Sequence, residues 1–353
     1  MMYQKMQNPP RYNHLWKYTP WKEIAPSKLS ESPEFEDSTI SFLNSKSKVE
    51  VGFSLSQIKT ETSTIDDIAR SCLSQESVET NVITLSGSSE IINLRVDANS
   101  AFSVCKIHFD VKQSSKVCIE VVGNADWFGL MVSANVAPNA HFDFGYSEKL
   151  SESCRVVRCE DWKIGRSSVF NMATLSTHSL RRKSDIRISL EESSSEFYGS
   201  VAIHGIGSKK DDTHIEIDHK VGNTFSDLSI KTACDDRSRS ISTGRLYIRE
   251  GADGVDSGQV FRNLLLSEKA RADSIPELEV YADDVAARHG AASAPVDENL
   301  IYYLMSRGLN RETAVSTLVE GFLADAFSNL SSDSLREEMR TRLRIHLDCL
   351  AHH

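Results

Sequence analysis

The sequence predicts a mainly β protein: a β-helix of stacked short-stranded coils, with a small N-terminal cap and a C-terminal α-helical domain. Three observations carry that reading. From about residue 81 onward, short alternating segments such as VITL, IINLRV, SVCKIHFDV, HFDFGYS, DIRISL and HIEIDH follow one another with no convincing long helix between them. Turns of small and polar residues (DANSA, KQSSK, APNAH, VGNTF, EGADG) separate them, at spacings near ~14 or ~25 to 30 residues, as coils of two or three strands require. Three strongly patterned helices then end the chain. A β-sandwich would also give regular short strands. The uninterrupted length of the strand array, and the small residues recurring at turns where coils bring backbones together, favour the β-helix.

Residues 1–80 read as the cap, with a proline-containing aromatic stretch from Trp16 to Trp21, a Ser/Glu-rich loop at 28–38, a strand-like KVEVGFSL and a short helical IDDIARSCL. Residues 81–293 form the β-helix core. An open stack presents unpaired backbone and apolar surface at each end, so the cap and the C-terminal helices are expected to cover the two ends. In the helical domain, residues 294–353, Asp297 caps ENLIYYLMSRG, which stops at Gly308, and Asn310 caps RETAVSTLVEGFLADAFSNL. Ser334 and Glu337 form a capping box for LREEMRTRLRIHLDCL. In the second helix Ala314, Leu318, Phe322 and Ala326 lie on one stripe, with Val315, Val319, Leu323 and Phe327 beside it; in the third, Leu335, Met339, Leu343 and Leu347 repeat every four residues. Faces this apolar must pack on the β body, on a partner, or on both.

A 353-residue chain with 40% hydrophobic and 25% charged residues can bury a substantial core. Its net charge of -10 opposes binding to nucleic acid or an anionic membrane. The basic runs Arg181-Arg182-Lys183 and Lys209-Lys210 are each followed by acids and read as solvated loop charge. With no apolar h-region at its start and no stretch near the ~18 apolar residues of a membrane span, the chain is expected to be cytoplasmic. Seven cysteines lie scattered without a C-x-x-C pair, which predicts small buried thiols rather than a disulfide framework or metal site.

The sequence holds no P-loop, dinucleotide fingerprint, nucleophile elbow or H-E-x-x-H motif, so nucleotide hydrolysis by this chain alone is not expected. Aspartate pairs occur at Asp211-Asp212, Asp235-Asp236 and Asp283-Asp284, and a β-helix acting on polysaccharide could use clustered acids in a groove. Neighbours on a strand point to opposite faces, however, so these pairs read as solvated turn carboxylates. Histidines 204, 214, 219 and 289 fall in the later strands; His214 and His219, five apart, face opposite sides and cannot share an ion. His289, followed by Gly290, stays open between a structural role and metal or proton chemistry.

The stretches NLLLSEKARADSIPELEVYADDVAARHGAA at 263–292 and DENLIYYLMSRGLNRETAVSTLVEGF at 297–322 carry a resemblance. From about Lys231 to Phe327 the chain resembles the SufB/SufD family of iron-sulfur cluster assembly proteins, its SufD branch in particular, and LWKYT near Trp16 resembles the family's N-terminal start. The resemblance implies a right-handed parallel β-helix and a subunit that is not catalytic alone. It implies pairing through the β-helix with a SufB-like paralogue or a second copy. It also implies docking of a SufC-type ABC ATPase on the C-terminal helices, with Leu304, Leu318, Phe322 and Leu323 as candidate contacts. ATP-driven closure would then open the interface where iron and sulfide are assembled. His289 matches the histidine of the SufD His-Gly-Ala motif, a candidate iron ligand at the subunit interface, and imidazole suits iron. Ala287 stands where many SufD chains carry a cysteine; Phe261 lies near the place of the SufB-type cluster cysteine, and Arg288 and Gly290 replace the glutamates flanking that branch's histidine. No stably bound cofactor is expected, only transient iron or a nascent cluster at the interface. The alternative is a homodimeric SufB-like scaffold that holds the cluster on its other cysteines.

Overall fold

Alternation along a strand places every second side chain on one face, and here it does so coil after coil. The computed structural model describes residues 6–10, 13–31, 33–43, 53–58, 67–74 and 78–350. Three short strands, β1 (Glu36–Asp37), β2 (Thr39–Phe42) and β3 (Phe53–Ile58), precede a regular array. The array begins with β4 (Thr80–Leu85), β5 (Ile91–Asp97), β6 (Phe102–Val111), β7 (Ser115–Gly123), β8 (Trp127–Val136), β9 (His141–Leu150), β10 (Arg155–Ile164) and β11 (Val169–Ser176). It continues with β12 (Arg181–Leu190), β13 (Glu196–Gly205), β14 (Lys210–His219), β15 (Phe225–Cys234), β16 (Arg239–Ile248), β17 (Val255–Leu265), β18 (Arg271–Val280) and β19 (Val285–Pro295). From β4 on, even-numbered strands stack in parallel into sheet one and odd-numbered strands into sheet two. Each coil thus contributes one strand to each sheet, forming the expected β-solenoid.

Register is unbroken, so like side chains form columns along the lumen. In sheet one Trp162, Ile188, Ile217, Leu246 and Leu278 are successive partners. In sheet two Phe142, Phe170 and Phe197 follow one another with ring centroids 5.8 and 5.6 Å apart, and Trp162 packs across the lumen 4.6 Å from Phe170. Each fully buried ring or aliphatic side chain contributes roughly 1.5–3 kcal/mol. A left-handed residue recurs before β9, β11, β13, β15 and β17, at Asn139, Ser167, Ser194, Asn223 and Gly254, and the N–H of each bonds a carbonyl of the next coil. That ladder turns the chain at a constant place and keeps the columns aligned.

The lumen also holds charge. Arg158 and Glu160, both fully buried, pair at 2.6 Å in phase with Trp162, and the Trp162 indole N–H donates to Glu160 at 2.9 Å. Arg182 pairs with Glu148 and lies 3.6 Å from Asp211. The basic run at Arg181-Arg182-Lys183 is therefore not solvated loop charge: it begins β12, Arg182 points into the lumen, and Lys183 is buried against Asp212 at 2.8 Å. Lys210, on β14, donates to the Tyr18 carbonyl at 2.7 Å instead of lying free. Asp211 and Asp212 correct the turn-carboxylate reading in the same way, whereas Asp235 and Asp236 do lie in a turn. His214 and His219 do face opposite sides. His219 bonds Thr224 and Ser226, and His214 bonds Asp185 at 3.0 Å outside.

At the N-terminal end β2 and β3 pair antiparallel with β5 and β4 and close the first coil. Helices α1 (Trp21–Ile24) and α2 (Ile68–Leu73) instead lie on the outer face of sheet one, burying Trp16, Trp21, Ile24 and Leu73 against Val104, Trp127 and Val157. Asp67 caps α2 by accepting from the Ala69 and Arg70 amides. Of the strand and helix predicted here, Lys48 to Gly52, Ile65 and Asp66 lie outside the described residues.

The C-terminal helices are α3 (Glu298–Ser306), α4 (Arg311–Ala324) and α5 (Asp333–Leu350), with a 3-10 turn at Asp325–Asn329. Asp297 and Asn310 cap α3 and α4 as predicted. The α5 cap differs: Ser332 accepts from the Leu335 amide, while the Ser334 hydroxyl accepts from Lys116 at 2.7 Å. The predicted stripe Leu335, Met339, Leu343 and Leu347 is buried, yet not over the end of the stack. With Val319, Leu323 and Phe327 it packs on Cys118, Ala173, Leu175, Ala202 and Ala233, along the outer flank of sheet two. Small residues on that flank let the helices approach, which is why they lie there. Among the described residues, β18 and β19 therefore end their sheets with no strand beyond them, contrary to the expected terminal lid.

Candidate functional site

The open final coil places His289. It lies on β19 opposite Gln259 of β17, in the row Val285, Ala287, His289, Ala291 and Ser293 that continues the lumen-facing row Val255, Ser257, Gln259, Phe261 and Asn263. Phe261 is fully buried in the core, Gln259 donates across the lumen to the Glu277 carbonyl at 3.0 Å, and Asn263 donates to Ser274 and Ser293 at 2.9 and 2.7 Å. His289 faces the same way, but among the described residues no further coil follows it, and it is exposed at the mouth of the solenoid. Its neighbour Arg288 points outward and pairs with Asp256 at 2.5 Å.

The two free edges differ in phase. In β18 the amides of Arg271 and, just beyond the strand, Tyr281 donate to the β16 side, so odd-numbered residues bond inward and even-numbered ones face the free edge. One of those is Pro276, which has no N–H to offer. In β19 the Val296 amide donates to Leu265, so even-numbered residues bond β17. Val285, Ala287, His289, Ala291 and Ser293 then present free N–H and C=O groups, interrupted only at Pro295. The β19 edge is thus a continuous template for a further strand, whereas the β18 edge is broken at its centre.

As a metal site this mouth is incomplete. Among the described residues no group of three His, Cys, Asp or Glu side chains is placed to hold an ion. Six of the seven cysteines are buried. Burial pushes the Cys118 and Cys154 thiols up to about 12 and Cys234 to about 11, so they stay protonated at neutral pH and are poor metal ligands where they sit. His289 can offer one imidazole nitrogen, and among the described residues it belongs to no group of three potential ligands.

A second surface lies on the helical flank. Of the residues singled out there by sequence, Leu323 is fully buried against the β body and is not a surface contact. Leu304, Leu318 and Phe322 are half-buried, and the Lys231 ammonium, paired with Asp325, sits 5.2 Å from the Phe322 ring. Sequence reasoning missed the larger apolar surface, which is on α3: Leu300, Tyr302, Tyr303 and Met305 are exposed, Tyr302 to 61%. Its signal was the run ENLIYYLM, apolar on more than one side, with only Ile301 needed for the core.

The family profile described as SUF system FeS cluster assembly, SufBD core domain, matches residues 91–322. The chain is similar to the iron-sulfur cluster assembly protein SufD of Escherichia coli, 32% identical over 132 residues, 37% of this chain and 31% of that one. It is also similar to SufD of Bacillus subtilis, 39% identical over 104 residues, 30% of this chain and 24% of that one. An iron-sulfur cluster assembly SufBD family protein of Synechocystis is 32% identical over 136 residues, 38% of this chain and 30% of that one. The chain thus spans less than a third of the length of these relatives. No helix among the described residues is long and apolar enough to cross a membrane.

Proposed function

Because this chain belongs to the SufB/SufD family of iron-sulfur cluster assembly proteins, we propose that it is a SufD-like scaffold subunit, not catalytic alone. It completes its open coil by pairing with a SufB-like β-helix and docks a SufC-type ABC ATPase through its C-terminal helices. One observation carries the reading: the last coil ends in a free, unbroken β19 edge beside an exposed His289. A strand added there would extend the solenoid across two chains and bring a partner's side chains next to the imidazole. Neutral His289 would then donate one nitrogen to iron, with thiolate ligands supplied by the partner.

The cluster is cargo in this scheme, and work on the interface comes from the motor. Closure of two ATPase subunits on the helical flanks would strain the joint between solenoids and open it to iron and sulfide. The exposed apolar side of α3, continuous with half-buried Leu304, offers that docking surface. A self-sufficient scaffold finds less support, since its buried thiols would have to be exposed and ionised before they could bind a cluster. Polysaccharide chemistry finds less still, because Asp211 bonds Ser176 and lies near Arg182, and Asp212 bonds Lys183.

Co-expression with SufB-like and SufC-like chains, followed by purification on this chain, tests the proposal. Recovery of both partners, with a cluster forming anaerobically in the complex and not on the isolated chain, is the expected result. A cluster retained by the isolated chain, or no capture of either partner, would overturn it.

A further inference from the structure

Three imidazoles meet where α5 lies on the solenoid. His346 on α5 is 4% exposed, and its Nε2 lies 3.0 Å from Nδ1 of His204, near the end of β13 and 7% exposed. His178, in the turn between β11 and β12, stands edge-on to His346 with ring centroids 5.2 Å apart, and its Nδ1 bonds the Thr177 hydroxyl at 2.7 Å. No single stretch of sequence contains this cluster, and its strand β13 is separated from the edge strand β19 by β15 and β17. The proposed function does not use it.

We propose that His178, His204 and His346 form an acid-sensitive latch, which holds α5 against sheet two at neutral pH and releases it on mild acidification. A hydrogen bond between two imidazoles needs one ring to donate and the other to accept. One extra proton can be shared, but a second destroys the bond and sets cation against cation. No carboxylate bonds any of the three rings among the described residues. Lys209, from the turn between β13 and β14, and Lys149 of β9 oppose protonation, while Glu152, in the turn after β9, favours it at His178. The small adjoining cavity is lined further by Arg182, Lys210, Asp211, Cys234 and Arg239. Glu148 is paired with Arg182, and Asp211 lies 3.6 Å from the same guanidinium, so both acids already face a cation.

The electrostatics agree with the geometry. Burial first, and then the Lys209 ammonium, push His178 and His204 from 6.5 down to about 4; His346 falls to about 2 through burial and the neighbouring His204 and His178 rings. Depressed histidine values mean that docking is fully supported above 6.5 and weakens as pH falls from there toward 4. For one imidazole at 6.5 when free and about 4 when docked, the docking constant falls about thirtyfold between pH 8 and pH 5.

Hydrogen exchange on the full-length chain reads the latch directly, with rates corrected for intrinsic chemistry. Wild-type amides of Asp333–Leu350 should lose at least about tenfold in protection between pH 7.5 and 5.0, while β14 keeps its protection. The double variant His204→Gln, His346→Gln replaces the hydrogen-bonded pair by neutral amides, leaves His178 as the one titrating ring of the cluster, and should cut the acid-induced loss of α5 protection at least about threefold relative to wild type. Should that pair already loosen α5 at pH 7.5, His178→Asn, whose ring makes only an edge contact to His346, should still reduce the acid-induced loss. Wild-type α5 held equally at both pH values, or variants losing as much protection as wild type, would overturn the latch.

Discussion

Replacing Ala287 and Ala291 by proline should break partner pairing without breaking the fold. Both residues lie on β19 in the phase whose N–H points along the free edge, so neither donates a bond to β17. Pro276 and Pro295 already occupy that phase in the two terminal strands, so the backbone there tolerates the ring. Each substitution deletes one intermolecular hydrogen bond, about 0.5–1.5 kcal/mol net, so the pair should cost about 1–3 kcal/mol of association. That corresponds to about a 5- to 150-fold rise in Kd. Ala292→Pro is the opposite case: its N–H faces β17, and losing that internal bond should cost about 1–3 kcal/mol of stability. Affinity is measured by immobilising a SufB-like partner and titrating the soluble chain, with thermal melting run alongside. Wild-type affinity in the double variant, or a melting temperature lowered as far as in Ala292→Pro, would refute the phase argument.

Further outcomes follow from the same geometry. Glu160→Gln leaves the buried Arg158 charge without a counter-ion and should destabilise the chain by about 3–5 kcal/mol in denaturant titration; a loss below about 1 kcal/mol would contradict the lumen ion pair. Tyr302→Asp with Met305→Asp alters side chains the fold leaves exposed, so melting should be unchanged while ATPase capture drops at least about tenfold; undiminished co-purification would place docking elsewhere. His289→Ala should likewise fold normally but lower the rate of cluster formation by the assembled complex, followed by visible absorbance under anaerobic conditions. An unchanged rate would return His289 to a structural role.

The solenoid was legible because alternation and turn spacing are local, and stacked coils repeat them: the columns through Trp162, Ile188 and Ile217 follow directly from strand parity. Parity also held a signal that composition concealed. Arg182 is in phase with Ile186 and Ile188, which marks it as lumen-facing, although its basic neighbours suggested a solvated loop. The position of the helical flank was not legible, since an apolar stripe such as Leu335, Met339 and Leu343 states that a face must be covered and not which surface covers it. The small side chains Ala173, Ala202 and Ala233 decided that, and they are brought together only by register. The candidate iron ligand could be named from its motif, but its exposure at an uncovered mouth required the order of strands. The imidazole cluster joins three segments up to 168 positions apart, between His178 and His346, and no sequence pattern links them.

Residue-resolved amide exchange along β19, in the isolated chain and in the assembled complex, tests the central claim most directly. If a second β-helix completes the open coil, the amides of Val285, Ala287, His289, Ala291 and Ser293 should exchange freely alone and become protected on assembly, while their even-numbered neighbours are protected in both states. Equal exchange of the odd-numbered amides in the two states would show that assembly leaves this edge unpaired, and the account would fail.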